Sequence, residues 1–158
     1  MNDIGENFNY GKDFRIGSFN VIGANVTLGD NVKIGHHCII EDNVTIGNNV
    51  MLQANIKIAA GATIGNDCVL KHGTILTNQC ILKDNVFMGP NTITLGGHVT
   101  RETEHGTIIG KNCYIGAATQ IAANTQICDD VITGAFSFIN KNINVPGTYV
   151  GIPARKLR

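Results

Sequence analysis

Every sixth residue from Ile4 to Met88 is large and apolar: Ile4, Tyr10, Ile16, Ile22, Leu28, Ile34, Ile40, Ile46, Leu52, Ile58, Ile64, Leu70, Leu76, Leu82, Met88. A second run in a shifted phase takes in Ile109, Ile115, Ile121, Ile127, Thr133, Ile139 and Val145. An amphipathic helix repeats every ~3.6 residues and a half-buried strand every ~2, so neither accounts for this period. A solenoid does, each hexad forming one short flat side of a coil. The fifth residue of each hexad is small or β-branched (Val26, Val32, Cys38, Val44, Val50, Ile56, Ala62, Cys68, Thr74, Cys80, Val86, Thr92). First and fifth positions are therefore expected to point inward, because the rest of each hexad is polar or glycine. Third and fourth positions are Asn, Asp, Gly, His or Ala, types that tolerate tight turns. Three sides close a triangular coil, and successive coils stack as parallel strands roughly 4.8 Å apart.

Stacking by coils sorts the turn residues into three columns. A polar corner carries Lys12-Asp13, Asp30-Asn31, Asn48-Asn49, Asn66-Asp67, Asp84-Asn85, Lys111-Asn112 and Asp129-Asp130. A mixed corner carries Glu6-Asn7, Ala24-Asn25, Asp42-Asn43, Ala60-Gly61 and Asn78-Gln79. The third carries Ser18-Phe19, His36-His37, Ala54-Asn55, His72-Gly73, Pro90-Asn91, Ala117-Ala118 and Ala135-Phe136, and so gathers three of the five histidines. The phase breaks between Met88 and Ile109, a gap that equals the rest of Met88's side, one further side and a nine-residue insertion. An extruded loop is expected at about 94–108, close to the histidine corner, and long loops of this kind are often functional.

The chain reads as one domain over 1–158, with the loop and a C-terminal tail at 151–158. Twelve basic and twelve acidic residues cancel, and no basic stripe appears, which argues against nucleic acid as a partner. No apolar run reaches membrane-spanning length, so no membrane insertion is expected. With no signal peptide pattern after Met1, a cytoplasmic location is expected. Four of the five cysteines (Cys38, Cys68, Cys80, Cys113) occupy inward positions and read as packing residues. No metal is expected either: His36 and His72 lie two coils apart, roughly 9–10 Å, too far to share one ion.

The repeat resembles the hexapeptide [LIV]-[GAED]-x-x-[STAV]-x of left-handed parallel β-helices. The resemblance implies an all-β, left-handed parallel β-helix of about seven to eight triangular coils with one extruded loop. From Ile4 onward the chain looks like the hexapeptide-repeat acyltransferases, and Val150-Gly151-Ile152-Pro153-Ala154-Arg155 is similar to their usual ending. Cys68-Val69-Leu70-Lys71-His72-Gly73 with Asp84-Asn85-Val86-Phe87-Met88-Gly89-Pro90 resembles most the bacterial N-acetyltransferases that modify nucleotide-linked amino sugars.

That resemblance implies transfer of an acetyl group from acetyl-CoA to a sugar amine within a homotrimer. A sugar O-acetyltransferase and a non-catalytic β-helix scaffold are the alternatives. His72 falls where part of the group carries its catalytic base, and His98 is the competing base of a branch acting on sugar hydroxyls. Ala117, Ala118, Gly134 and Ala135 would line the acetyl-CoA path, with Arg155 and Lys156 toward its phosphates. His36, His37, Asn55 and Asn91 would contact the sugar substrate. Gly73 stands where close relatives often place an acidic residue, so no neighbouring carboxylate orients the His72 ring. Pro90 has no N–H, so the backbone N–H of Gly89 or Asn91 would have to hold an oxyanion.

Overall fold

A computed structural model describes residues 1–96 and 106–158. The chain is an all-β, left-handed parallel β-helix whose strands are mostly two residues long. They form three parallel faces of eight, seven and nine strands, the last strand alone running antiparallel. On each face a residue pairs with its counterpart eighteen positions on, as Ile4 does with Ile22, Tyr10 with Leu28 and Ile16 with Ile34. The described residues contain no helix long and apolar enough to cross a membrane.

The core follows the hexad. First positions from Ile22 to Met88 and fifth positions from Val26 to Thr92 are all buried, most of them completely. The fourth position turns each corner with a left-handed backbone, φ lying between 54° and 61° for its non-glycine residues. Asn and Asp hold most of these sites because their short polar side chains tolerate that conformation. The lowest coil closes differently. Two of its three fifth positions are Phe8 and Phe14, whose rings pack with each other and with Tyr10 at centroid distances of 4.7–5.7 Å and plug the open end of the core. The upper end departs from the repeat. Ile143 is still buried as a fifth position should be, but Val145 is 53% exposed. Pro146 has no N–H for another ladder bond, and the chain turns into the strand Gly147–Val150, which lies beside Val131–Thr133.

The insertion leaves the register of the coils intact. Ile81 and Leu82 pair with Ile108 and Ile109 across a step of 27 residues, one coil plus nine. The same step relates Phe87 to Tyr114 and Ile93 to Gln120. It therefore lies between the first-face strand Ile93–Thr94 and the second-face strand Ile108–Ile109. This is the mixed corner, separated from the histidine corner by the first face.

Side chains bind the coils together at two corners. On the polar corner the backbone N–H of Lys12, Asp30, Asn48, Asn66 and Lys111 each donates to the side-chain oxygen of the third-position residue one coil above, at 2.7–3.0 Å. Fourth-position amides form a parallel chain from Asn31 through Asn49 to Asp67, and from Asn85 through Asn112 to Asp130. Asp84 accepts from Asn66 N–H and lies 3.1 Å from the Lys111 ammonium, contacts that hold its carboxyl below the usual carboxylate range.

Burial pushes the Cys68 and Cys113 thiols up to about 11 and Cys80 to about 12, and raises Cys38 as well. Cys128 is half-buried. At about pH 8 the four buried thiols hold almost no thiolate. Iodoacetamide followed by mass spectrometry is expected to label Cys128 on the native protein, and the other four only after denaturation. Leu70 is completely buried in the middle of the stack. Leu70→Ala is expected to cost ~2–5 kcal/mol, read as a lower guanidinium midpoint at fixed protein concentration. Thr45→Ala on the exposed second face should change stability by less than ~0.5 kcal/mol.

Candidate functional site

The histidine corner breaks the side-chain relay that runs on the polar corner from Lys12 to Asp84 and again from Lys111 to Asp129. Ser18 N–H does donate upward, 2.9 Å to Nδ1 of His36. Higher up, alanine or proline takes most third positions and offers no acceptor. Among the described residues, the backbone N–H groups of His36, Ala54, Ala117 and Ala135 form no hydrogen bond. A row of outward donors is thus left along this edge, with Ala117 two coils and Ala135 three coils above His72, roughly 10 and 14 Å.

His36 and His72 occupy equivalent positions two coils apart, yet they are held in opposite ways. His36 spends its Nδ1 lone pair on Ser18 N–H, so its Nε2 carries the proton and the ring has no lone pair left to act as a base. Gly17 makes this possible. A Cβ there would come 2.5 Å from Gly35 O and 2.9 Å from His36 Nδ1, so the glycine leaves room for the imidazole to fold over the corner. Below His72 the equivalent residue is Gln53. Its amide oxygen lies 3.1 Å from His72 Nδ1, and Ala54 N–H makes no bond to the ring. His72 is exposed, and the residue above it is Pro90.

Asn91 completes this level. Its backbone N–H donates to His72 O at 3.0 Å. Its side-chain oxygen occupies the spot where any Cβ on residue 73 would have to be, so Gly73 is needed for this approach. The carboxamide of Asn91 is thereby seated beside His72. The two backbone donors expected to hold an oxyanion are not available. Gly89 N–H donates to Ile115 O at 2.7 Å and Asn91 N–H to His72 O, both as parts of the ladder.

The other predicted residues are spread along the same edge. His37 stacks on Phe19, ring centroids 5.2 Å apart and planes 9° from parallel. Asn55 sits one coil higher, its N–H bonded to His36 O. At the top of the corner, Ala118, Gln120, Phe136, Ser137, Phe138 and Ile152 line a cavity of about 230 Å³. Ser137 is buried and its hydroxyl has no hydrogen-bond partner among the described residues. Phe136 is 70% exposed despite its left-handed backbone, φ 56°. Ala135 lies next to this cavity, whereas the space above Gly134 is filled by a methyl of Val150. Arg155 and Lys156 form the last strand, paired to Tyr149–Val150 on the third face. His98 lies outside the described residues.

Sequence reasoning missed Gln53, Phe136, Ser137 and Ile152. Gln53 and Lys71 did carry a signal, since they replace the glycine that usually follows a first position on this face. The cavity carried none, because Ile152 reaches it only through the fold-back of the C-terminal segment.

Comparison with known proteins places this geometry. A family model described as the GMPPB C-terminal domain matches residues 4–94, and one described as bacterial transferase hexapeptide (six repeats) matches 106–141. The UDP-3-O-acylglucosamine N-acyltransferase of Bordetella avium is 30% identical over 73 residues, which cover 44% of this chain and 20% of that protein. The serine acetyltransferase of Buchnera aphidicola is 34% identical over 93 residues, covering 57% of this chain and 35% of that protein. The chain thus spans well under half the length of these relatives. Among solved structures, the Francisella novicida UDP-N-acetylglucosamine acyltransferase superposes with a TM-score of 0.78 at 17% identity, over 97% of this chain and 66% of that one. A variant of the GDP-perosamine N-acetyltransferase of Caulobacter crescentus, in complex with CoA and GDP-perosamine, gives 0.63 at 16% identity, over 100% of this chain and 57% of that one. At such identities the structures speak to the fold. The GMPPB C-terminal domain model matches more than half of the chain, so the chain belongs to that family, and its upper coils carry the bacterial transferase hexapeptide repeat.

Proposed function

We propose that the protein transfers an acetyl group from acetyl-CoA to the amine of a nucleotide-linked amino sugar, as a cytoplasmic homotrimer. The observation that carries this reading is His72. It is an exposed imidazole whose Nδ1 is engaged by Gln53, whose Nε2 has no partner among the described residues, and which stands below a row of open backbone donors. In this reading the pantetheine arm runs down the histidine corner, its amide carbonyls meeting the N–H groups of Ala135 and Ala117. The adenosine end enters the cavity beside Phe136, and Arg155 and Lys156 lie toward the phosphates. A solved structure of the same fold is that of a sugar N-acetyltransferase variant in complex with CoA and GDP-perosamine.

The chemistry then runs between His72 and Asn91. The sugar amine attacks the thioester carbonyl, and its proton passes to His72 Nε2. With the neighbouring backbone N–H groups committed to the ladder, the side-chain amide of Asn91 donates to the oxyanion. The C–S bond breaks and His72 returns the proton to the departing thiolate of CoA. His37, Asn55 and the Phe19 ring lie below, one to three coils from His72, on the side where the nucleotide of the acceptor would extend.

Trimer formation is supported by the outer surfaces. Val21 and Ile39 on the first face, and Met51, Tyr114 and Ile132 on the third, are large exposed apolar residues flanking the histidine corner. The second face shows Thr27, Thr45 and Thr63 in the same outward positions of its lower coils. Packing of the apolar faces against neighbouring subunits would bring the histidine corner to a subunit boundary.

The test is thiol release from acetyl-CoA against a panel of nucleotide-linked amino sugars and plain sugars. An amino sugar nucleotide is expected to be the acceptor, and His72→Ala is expected to lower kcat by ~10²–10⁴-fold while His98→Ala does not. Turnover of a sugar hydroxyl, lost only in His98→Ala, would move the protein to the O-acetyltransferase alternative. Absence of both turnover and acetyl-CoA binding would favour the scaffold.

A further inference from the structure

We infer that Gln53 is the positioning residue of His72: it fixes the imidazole as the Nδ1–H tautomer and so keeps the Nε2 lone pair turned outward as the base. The inference rests on the reading of His72 as that base, but its structural half stands independently.

Two donors converge on one atom. The His72 ring nitrogen Nδ1 lies 3.1 Å from Gln53 Oε1, and the backbone N–H of His72 points at the same oxygen from 3.4 Å. A carboxamide can be turned about so that NH₂ replaces O. In that orientation an NH₂ group would face the backbone N–H, donor against donor. The backbone therefore selects the oxygen, and an oxygen can bond Nδ1 only if Nδ1 carries the hydrogen. The remaining nitrogen, Nε2, is then the acceptor.

His36 supplies the internal control. It occupies the same column and the same hexad position, but glycine stands nineteen residues before it where glutamine stands before His72. Its ring receives a backbone N–H on Nδ1 and takes the opposite tautomer. One residue on the coil below thus decides whether a histidine of this corner is a corner strut or an available base. Charge plays little part in the choice. Lys71, adjacent in sequence, directs its ammonium over the Phe87 ring on the third face, 5.9 Å from its centroid. The residues seated below and above His72 on the corner, Gln53, Ala54, Asn55, Pro90 and Asn91, carry no charge.

The tautomer is measured directly by two-bond ¹⁵N–¹H correlation spectra of the full-length protein labelled in histidine. At a pH where the ring is neutral, His72 is expected to show protonated Nδ1 and unprotonated Nε2, and His36 the reverse. Gln53→Ala is expected to abolish the preference at His72 and leave His36 unchanged. Gln53→Glu keeps an acceptor and adds a charge that favours the imidazolium, so the His72 titration should move up by roughly one pH unit. With acetyl-CoA and a UDP-linked amino sugar as probes, Gln53→Ala should lower kcat about tenfold with KM little changed. Gln53→Glu should restore kcat at high pH and carry the acid limb of kcat/KM upward by the same shift as the titration.

A protonated Nε2 in the wild type, or a tautomer indifferent to Gln53→Ala, would overturn the inference. If the spectra change as expected while turnover and its pH profile stay fixed, Gln53 orients a ring that is not the base. That result would overturn the role of His72 given above and the positioning role with it.

Discussion

Each coil of this protein is held by the coils above and below it, through hydrogen bonds that link a residue to its counterpart one turn away. The backbone ladder on the three faces is common to all coils. What distinguishes the corners is whether side chains continue it. On the polar corner, Asp and Asn oxygens accept the N–H groups that the turn leaves over, and amides stack in line. On the histidine corner, alanine, glycine and proline interrupt that relay, so donors are left facing outward. The candidate edge is built by omission: the same turn, repeated with smaller residues, leaves in a row the donors that the polar corner mostly binds.

The same logic separates the two histidines. His36 substitutes for the Asp or Asn of the relay, its Nδ1 doing what a carboxylate oxygen does elsewhere. His72 has been taken out of the relay, because Gln53 meets both its ring and its N–H and Pro90 above offers no side-chain acceptor. Buried hydroxyls support this corner from inside: Thr74 and Thr92 lie within hydrogen-bonding reach of the carbonyls of Lys71 and Gly89, at 2.7 and 2.8 Å. The core behind the site is thus tied to its turns, while the core behind much of the polar corner is aliphatic.

Most of the fold was legible because burial in a solenoid is a two-state property read at fixed intervals. Ile58 and Ala62, or Leu82 and Val86, need only their hexad position to be placed. The length of the insertion was legible too, since the polar column resumes in phase at Lys111-Asn112. The end of the repeat at Val145 was not, because it depends on Pro146 and on a strand that leaves the six-residue rule. For the candidate site, the column of His36, His72, Asn91 and Ala117 followed from the period, as did its neighbour residues. The hydrogen bonding did not. Which nitrogen of His72 is engaged, whether Gly89 N–H is spent, and where the cavity opens depend on side-chain directions and on the returning C-terminus, and neither has a period.

The direct pairing of Ile81–Leu82 with Ile108–Ile109 has a consequence for how such a chain can change. The two strands meet as neighbours, and the coils on either side are in register whatever number of residues separates them along the chain. Nor does the Lys111–Asp84 contact, or the amide chain from Asn85 to Asn112, depend on that number. The mixed corner at this level is therefore a splice point, where segments of different length or chemistry can be exchanged without moving an atom of the histidine corner. Insertion and scaffold are separable here: one can be rewritten while the other is copied.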